Sequence, residues 1–124
     1  MSFEINKEEN HVTVKVLAEK LDTMIAPDLK SELVLLDKSG TANFVVDLTD
    51  TKYCDSSGLS ALLVGNRLAK ASEGCMVLCG LQPTVEKMIQ ISQLHTVLNI
   101  TPTYNEAVDY LMMVKLEKEV GGAQ

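Results

Sequence analysis

The stretch NFVVDLTDTKYCDSSGLSALL, residues 43–63, contains a short apolar run, a polar loop and a second apolar segment. The run NFVVDL predicts a short buried strand. After the loop, Leu59, Leu62 and Leu63 recur at the spacing of one helical face. Asp55 and Ser56 stand immediately before that face, where a helix N-cap is expected. The stretch therefore predicts a strand, a loop and a helix, with polar side chains at the start of the helix.

The rest of the chain repeats this alternation of strand and helix. Near the N-terminus, Val12, Val14 and Val16 alternate with polar residues, and a polar turn at residues 7–10 precedes them, which predicts a hairpin. Pro27 in a first turn and Gly40 after a last turn indicate the next helix. CMVLCG at 75–80 and TVLNI at 96–100 predict further strands, a helix opens at Pro83, and Thr103 with Glu106 predicts the N-cap of the last helix.

The predicted order is β-β-α-β-α-β-α-β-α, which indicates an α/β fold with parallel strands joined by right-handed crossovers. We expect one mixed sheet with an N-terminal antiparallel hairpin and about four helices packed mainly on one face. A chain of 124 residues suits a single domain. We expect that domain at residues 1–118, followed by a disordered tail at 119–124.

Composition and charge narrow the classes of function. The net charge is −6 and no lysine or arginine cluster interrupts it, so direct binding of nucleic acid is not expected. An acidic surface favours a partner with a basic one. No apolar run approaches the ~20 residues of a membrane span, and the first residues lack the pattern of a signal peptide. We therefore expect a cytoplasmic protein with no membrane contact.

Cysteine and histidine patterns indicate neither a metal site nor a cofactor site. Cys54, Cys75 and Cys79 lack the spacings of zinc or redox motifs, so we interpret them as small buried apolar residues. The two histidines are isolated, and no glycine-rich phosphate loop is present. The sequence predicts no metal, no cofactor and no catalytic residue.

The two serines of the motif DSSG at 55–58 allow three interpretations. A serine nucleophile needs a base and an oxyanion hole, but the glycine elbow is incomplete, and nothing in the spacing joins His11 or His95 to Ser56. A helix N-cap at Asp55 or Ser56 explains one polar group but not three in succession. Phosphorylation is the third interpretation, and these residues alone do not decide it.

Three further blocks give the motif a context. The sequence resembles a STAS domain of the bacterial anti-sigma-factor antagonist type in four places. These are the strand-loop-helix at 43–63, LDTMIAPDLKSEL at 21–33, CMVLCGLQPTVEKMIQISQLHTVLNI at 75–100 and NEAVDYL at 105–111. The resemblance covers roughly residues 3–115. It departs from the family pattern in two places. The segment at residues 19–22, EKLD, lacks the glycine of the family's Gly-Glu-Leu-Asp, and Gln93 replaces the glycine of its Ser-Gly-Leu.

The resemblance implies that the protein is an interaction module and a kinase substrate, not an enzyme. Its implied partners are an anti-sigma factor, which is also an ATP-dependent serine kinase, and a serine phosphatase. By the match to the motif, Ser56 is the phosphorylated serine and Ser57 a cap or supporting residue. The implied partner-binding residues are Asp22, Asp55, Ser56, Ser57 and Gly58.

In that scheme the unphosphorylated antagonist captures the anti-sigma factor and frees the sigma factor, and phosphorylation reverses the capture. We expect the fold to tolerate the phosphate, because the dipole and free N–H groups of a helix N-terminus favour an anion. Two questions stay open at this point. The alternative is that the domain serves a transporter subunit or another signalling assembly. The sequence also leaves open a homodimer formed through Tyr104, Tyr110 and the Met-rich last helix.

Overall fold

The computed structural model describes residues 2–122, in which a five-stranded sheet, a two-stranded sheet and four α-helices form one α/β unit. The strands are β1 (Phe3–Lys7), β2 (Val12–Val16), β3 (Lys20–Leu21), β4 (Asn43–Asp47), β5 (Tyr53–Cys54), β6 (Cys75–Cys79) and β7 (Asn99–Thr101). The helices are α1 (Ala26–Lys38), α2 (Ser56–Ala71), α3 (Pro83–Ile91) and α4 (Tyr104–Gly122).

The large sheet has the strand order β1-β2-β4-β6-β7. β1 and β2 pair antiparallel, with Ile5 opposite Val14, and the other neighbours pair parallel. Val14, Val46 and Leu78 lie in adjacent register across the three central strands. This pairing confirms the predicted mixed sheet with its antiparallel hairpin. The sequence could predict it because the hydrophobic alternation of β2 and the apolar runs of β4 and β6 indicate which strands are buried.

The helices are divided unequally between the two faces of this sheet. α1, α2 and α3 cover the face that includes Val14, Val46 and Leu78. α4 covers the opposite face, where Val45 and Val77 pack with Ala107 and other residues of the helix. Three of the four helices in the described part of the chain thus share one face, as predicted.

The ends of the helices follow the predicted local signals. Pro27 and Pro83 lie in the first turns of α1 and α3, and Gly40 follows α1 with a φ of +97°. At the start of α4, the Thr103 Oγ1 accepts a hydrogen bond from the N–H of Glu106 at 3.2 Å. The Glu106 carboxylate accepts one in return from the N–H of Thr103 at 3.1 Å. This reciprocal capping box confirms the predicted helix start.

Two boundaries differ from the sequence prediction. The last strand begins at Asn99, later than expected, because residues 94–96 form a 3-10 turn. After this turn, the N–H of Leu98 still donates to the Leu94 carbonyl at 2.8 Å, so Leu98 is not yet part of the strand. Helix α4 continues to Gly122, so residues 119–122 of the expected tail are helical. Residues 123 and 124 lie outside the described part of the chain, and the domain limits stay a prediction.

Candidate functional site

A short parallel bridge between β3 and β5 positions the motif at residues 55–58. Leu21 pairs with Cys54, and the N–H of Asp55 donates to the Leu21 carbonyl at 3.2 Å. Asp22 and Asp55 are therefore the next residues after the paired ends of the two strands. The bridge lies outside the five-stranded sheet, and two-residue strands carry no periodicity by which the sequence could have revealed it.

The preceding loop is fixed by its backbone as well. The N–H groups of Lys52 and Tyr53 both donate to the Glu19 carbonyl, at 2.7 and 3.0 Å. The Thr51 hydroxyl donates to the Ala18 carbonyl at 3.0 Å, and Thr51 is fully buried. The loop before Asp55 is consequently attached along its length to the segment that leads into β3.

Gly58 allows α2 to begin directly against β3. A Cβ at this position would lie 2.3 Å from the Leu21 carbonyl oxygen and 2.6 Å from the Cys54 Sγ. Real Cβ atoms essentially never come within 3.0 Å of a heavy atom from a residue that is distant in the chain. Gly58 is buried, so it supports the site through close packing and offers a partner little surface of its own.

Asp55 is the N-cap of α2. Its Oδ1 accepts hydrogen bonds from the N–H groups of Ser57 and Gly58, at 2.9 and 3.1 Å. The suggestion that Ser57 is a cap is therefore wrong, since Ser57 lies inside the first turn and its N–H is the group that is capped. The expectation of free N–H groups also needs correction. Of the four N–H groups at the helix start, only that of Ser56 is without one of these bonds.

The two serines differ in accessibility. Ser56, the first residue of α2, is exposed, whereas Ser57 is half-buried. Thr51, a hydroxyl close in sequence, is inaccessible because it is fully buried and hydrogen-bonded. Of the serines and threonines within five residues of the cap, Ser56 and Ser60 are exposed.

Ser56 and Ser57 line a shallow depression between the first turns of α1 and α2. Its other lining residues are Thr23, Ala26, Pro27, Lys30 and Ser60. Lys30 supplies the one charged side chain in that lining, and it forms none of the ion pairs found within residues 2–122. Sequence reasoning missed these residues. Ser60 was detectable, because it lies one helical turn after Ser56, but Lys30 needs the packing of α1 on α2.

Asp22 has a structural role beside this depression. Its Oδ1 accepts from the N–H of Met24 at 3.0 Å, and its carbonyl accepts from the N–H groups of Ile25 and Ala26 at 3.1 and 2.7 Å. Asp22 thereby shapes the turn into α1. Met24, next to Thr23 of the depression, is 79% exposed, so this turn presents an apolar side chain to solvent.

The other candidate chemical groups lie apart from the depression. His11 is not among its lining residues, and its Nε2 lies 2.9 Å from the Tyr104 hydroxyl, while His95 is exposed in the 3-10 turn. All three cysteines are buried, as predicted. Burial, together with a smaller contribution from the nearby carboxylates of Asp55 and Asp47 respectively, raises the pKa of the Cys54 and Cys79 thiols to about 12. Thiols that stay protonated are poor nucleophiles and poor metal ligands.

Residues 2–122 contain neither a metal-binding cluster of side chains nor a helix suited to cross a membrane. Within that range, no cluster of three or more histidine, cysteine, aspartate or glutamate side chains is arranged to hold a metal ion. None of the helices described there combines the length and the apolar character needed to cross a membrane.

The sequence and fold are similar to those of known proteins. A sequence model of the STAS domain matches residues 2–107. The anti-sigma-B factor antagonist of Bacillus subtilis (strain 168) is 27% identical over 101 residues, covering 82% of this chain and 91% of that protein. The anti-sigma factor antagonist SpoIIAA in its unphosphorylated form superposes with a TM-score of 0.76 at 21% identity, over 89% of this chain and 96% of that one.

The same fold occurs in a protein of another class. The murine anion transporter Slc26a9, in its inward-facing state, matches with a TM-score of 0.71 at 13% identity. The match covers 87% of this chain but 18% of the transporter chain. The fold alone therefore does not decide between an antagonist and a module of a larger assembly.

Proposed function

The chain belongs to the STAS domain family, and from that premise we propose that it is an anti-sigma-factor antagonist switched by phosphorylation of Ser56. Unphosphorylated protein binds an anti-sigma factor that is also an ATP-dependent serine kinase, and this binding frees the sigma factor. Phosphate on Ser56 ends the binding, and a serine phosphatase restores it. The protein acts as a binding partner and a kinase substrate rather than as an enzyme.

The observation that carries the proposal is the exposed hydroxyl of Ser56 on a rigidly held helix start. The Leu21 carbonyl fixes Asp55 from one side, and the Asp55 carboxylate fixes the first turn of α2 from the other. A kinase can reach Ser56 without unfolding any backbone, whereas Thr51 would first have to lose its buried hydrogen bond. The geometry thus favours Ser56 over Thr51 as the phosphate acceptor.

The charge that phosphate adds is sufficient for a switch. Phosphoserine carries about −1.5 to −2 charges at neutral pH. Those charges would stand beside the Asp55 carboxylate, in a protein whose net charge is already −6. A partner surface fitted to a neutral hydroxyl would have to desolvate this anion. Each 1.4 kcal/mol of such a penalty weakens binding about tenfold, so a penalty of a few kcal/mol is enough to shift the protein from the bound to the free state.

The test combines a phosphorylation map with a binding measurement. Each serine-kinase anti-sigma factor of the source organism is incubated with this protein and ATP, and the modified residue is identified by mass spectrometry. We expect Ser56→Ala to abolish incorporation and Ser60→Ala, which removes the next exposed hydroxyl of the same helix, to leave it unchanged. By calorimetry, Ser56→Asp should bind the same kinase at least tenfold more weakly than wild type, and Ser60→Asp should have a smaller effect.

Three results would count against the proposal. Phosphate on Ser57 or Ser60 would overturn the choice of residue. Equal affinities of the wild-type and Ser56→Asp proteins would overturn the electrostatic account of the switch. If no such kinase binds either form, the protein is a STAS module of another assembly, such as a transporter subunit or a signalling scaffold.

A further inference from the structure

Helix α4 extends well beyond the part of it that packs on the sheet. Its 19 residues span about 28 Å, and its buried residues, Ala107 and Leu111, lie in its first half. From Lys115 to Gly121 every residue is exposed. The family model ends its match at residue 107, so most of this helix is outside the part of the chain that identifies the family.

Four large apolar side chains are exposed along one side of α4. Met112, Met113, Leu116 and Val120 are 54%, 59%, 57% and 64% exposed. They are four of the nine large apolar side chains that are exposed in residues 2–122. At 3.6 residues per turn they fall within an arc of about 100°, on the side of the helix opposite Ala107. We call these four residues the α4 stripe.

We propose that the α4 stripe binds the same stripe of a second copy of this chain, with the two helices antiparallel about a two-fold axis near Leu116. In this arrangement Leu116 packs on Leu116 of the other copy, and Val120 packs on Met113 in both directions. A two-fold interface requires a self-complementary surface, and a stripe with apolar residues before and after a central leucine meets that requirement.

The charges beside the stripe support this orientation. Lys115 and Glu119 lie on the same flank of the helix, about one turn apart. In an antiparallel pair, that flank faces the same flank of the second helix, as at equivalent positions of antiparallel coiled coils. Lys115 of each copy then lies near Glu119 of the other, so the dimer contains two lysine–glutamate ion pairs. On the other flank, Glu117 of one copy faces Glu117 of the second, so two pairs of opposite charge stand against one pair of like charge. The balance of these pairs favours a second copy of this chain over an unrelated apolar occupant.

The small area of the α4 stripe predicts a weak interface between the two copies. Four partly exposed side chains per copy provide less than the roughly 800 Å² per partner of a stable interface. The dimer should accordingly be weak and dissociate on dilution. The stripe lies on the sheet face opposite to α1 and α2, so the association leaves Ser56 accessible and does not depend on the function proposed for that residue.

The experiment measures the mass of the full chain by sedimentation velocity, from about 5 to about 500 µM, a range chosen for a weak dimer. Wild type should shift from monomer to dimer as concentration rises. Leu116→Glu should raise the dissociation constant at least tenfold. Leu35→Glu is the matched control, because Leu35 is 60% exposed on α1 and undergoes the same change in charge. It should leave the dissociation constant unchanged, and circular dichroism should show both variants folded.

A charge exchange tests the orientation. Lys115→Glu alone should weaken the dimer, because it places two pairs of glutamates together. Adding Glu119→Lys in the same chain should restore the wild-type dissociation constant. A wild-type protein that remains monomeric at about 500 µM would assign the stripe to a different occupant and overturn the proposal. Equal effects of Leu116→Glu and Leu35→Glu, or a double exchange that fails to restore association, would do the same.

Discussion

Replacing Gly58 by alanine tests whether the close approach of α2 to β3 holds the Ser56 turn in place. The added Cβ would meet two atoms that have little freedom to move. The Leu21 carbonyl oxygen, 2.3 Å away, belongs to a strand that also accepts the hydrogen bond from Asp55. The Cys54 Sγ, 2.6 Å away, is fully buried. The clash therefore has to be relieved by moving the first turn of α2 away from β3.

The structure gives the size of the effect. The nearest contact is about 1 Å inside ordinary van der Waals distance. Overpacking of a rigid core of this kind costs up to about 3 kcal/mol. Alanine recovers about 1 kcal/mol as a better helix former than glycine. We expect Gly58→Ala to lower the free energy of unfolding by about 2 kcal/mol, which lowers the melting temperature by roughly 6–10 °C in a domain of this size.

Chemical denaturation and a melting curve measure this change, with Gly121→Ala as the control. Gly121 also lies in a helix, but a Cβ there meets no atom within 4 Å. Gly121→Ala should be neutral or stabilise slightly. Equal stabilities of the wild-type and Gly58→Ala proteins would refute the reasoning, because they would show that α2 can move off β3 at no cost. Slower phosphorylation of Ser56 in folded Gly58→Ala would further indicate that the same contact positions the hydroxyl.

Two other predictions concern the backbone and the thiols. Gln93 has a φ of +62°, a left-handed conformation that costs a non-glycine residue about 1–2 kcal/mol. Gln93→Gly should therefore raise the free energy of unfolding by about 1 kcal/mol. A loss of stability in urea titrations would contradict this. Cys54 and Cys79 should resist iodoacetamide at pH 8 in the folded protein and react in guanidinium, as followed by mass spectrometry. Because burial raises the pKa of both thiols from 9.0 to about 12, the unfolded state loses its thiol protons first. Stability should then fall as pH rises above 9, and stability independent of pH between 9 and 11 would show that the thiols are not buried.

The main sheet was predictable because its signals are regular over five or more residues. Val12, Val14 and Val16 alternate along β2, and the apolar runs of β4 and β6 mark strands that are covered on both faces. The β3–β5 bridge gave no comparable signal. Each strand has two residues, and the pairing depends on backbone hydrogen bonds that any residue type can make. Its consequence, the juxtaposition of the turns after Leu21 and Cys54, therefore required the structure.

The candidate site was predictable in its residues but not in their roles. The motif at 55–58 was identified from its residues and Asp22 through the resemblance, and the bridge brings their two turns together. Sequence reasoning could not choose between Asp55 and Ser56 as the cap, because both residue types accept hydrogen bonds from a helix start. The choice depends on the extended backbone of Asp55, whose ψ is −172° and whose N–H donates a hydrogen bond to the Leu21 carbonyl of β3.

The assignment of the cap changes how phosphate would act at Ser56. An uncapped helix start would offer its N–H groups to the phosphate and draw the anion onto the protein. Here the Asp55 carboxylate already accepts from Ser57 and Gly58, and its own negative charge is adjacent. Phosphate on Ser56 would gain little from the helix and would remain directed outward, with Lys30 the charged side chain lining the same depression. The modified surface would then differ from the unmodified one mainly in charge, with the backbone of the turn unchanged. Such a difference is suited to being read by a binding partner, because it leaves the fold intact and alters what the partner must desolvate.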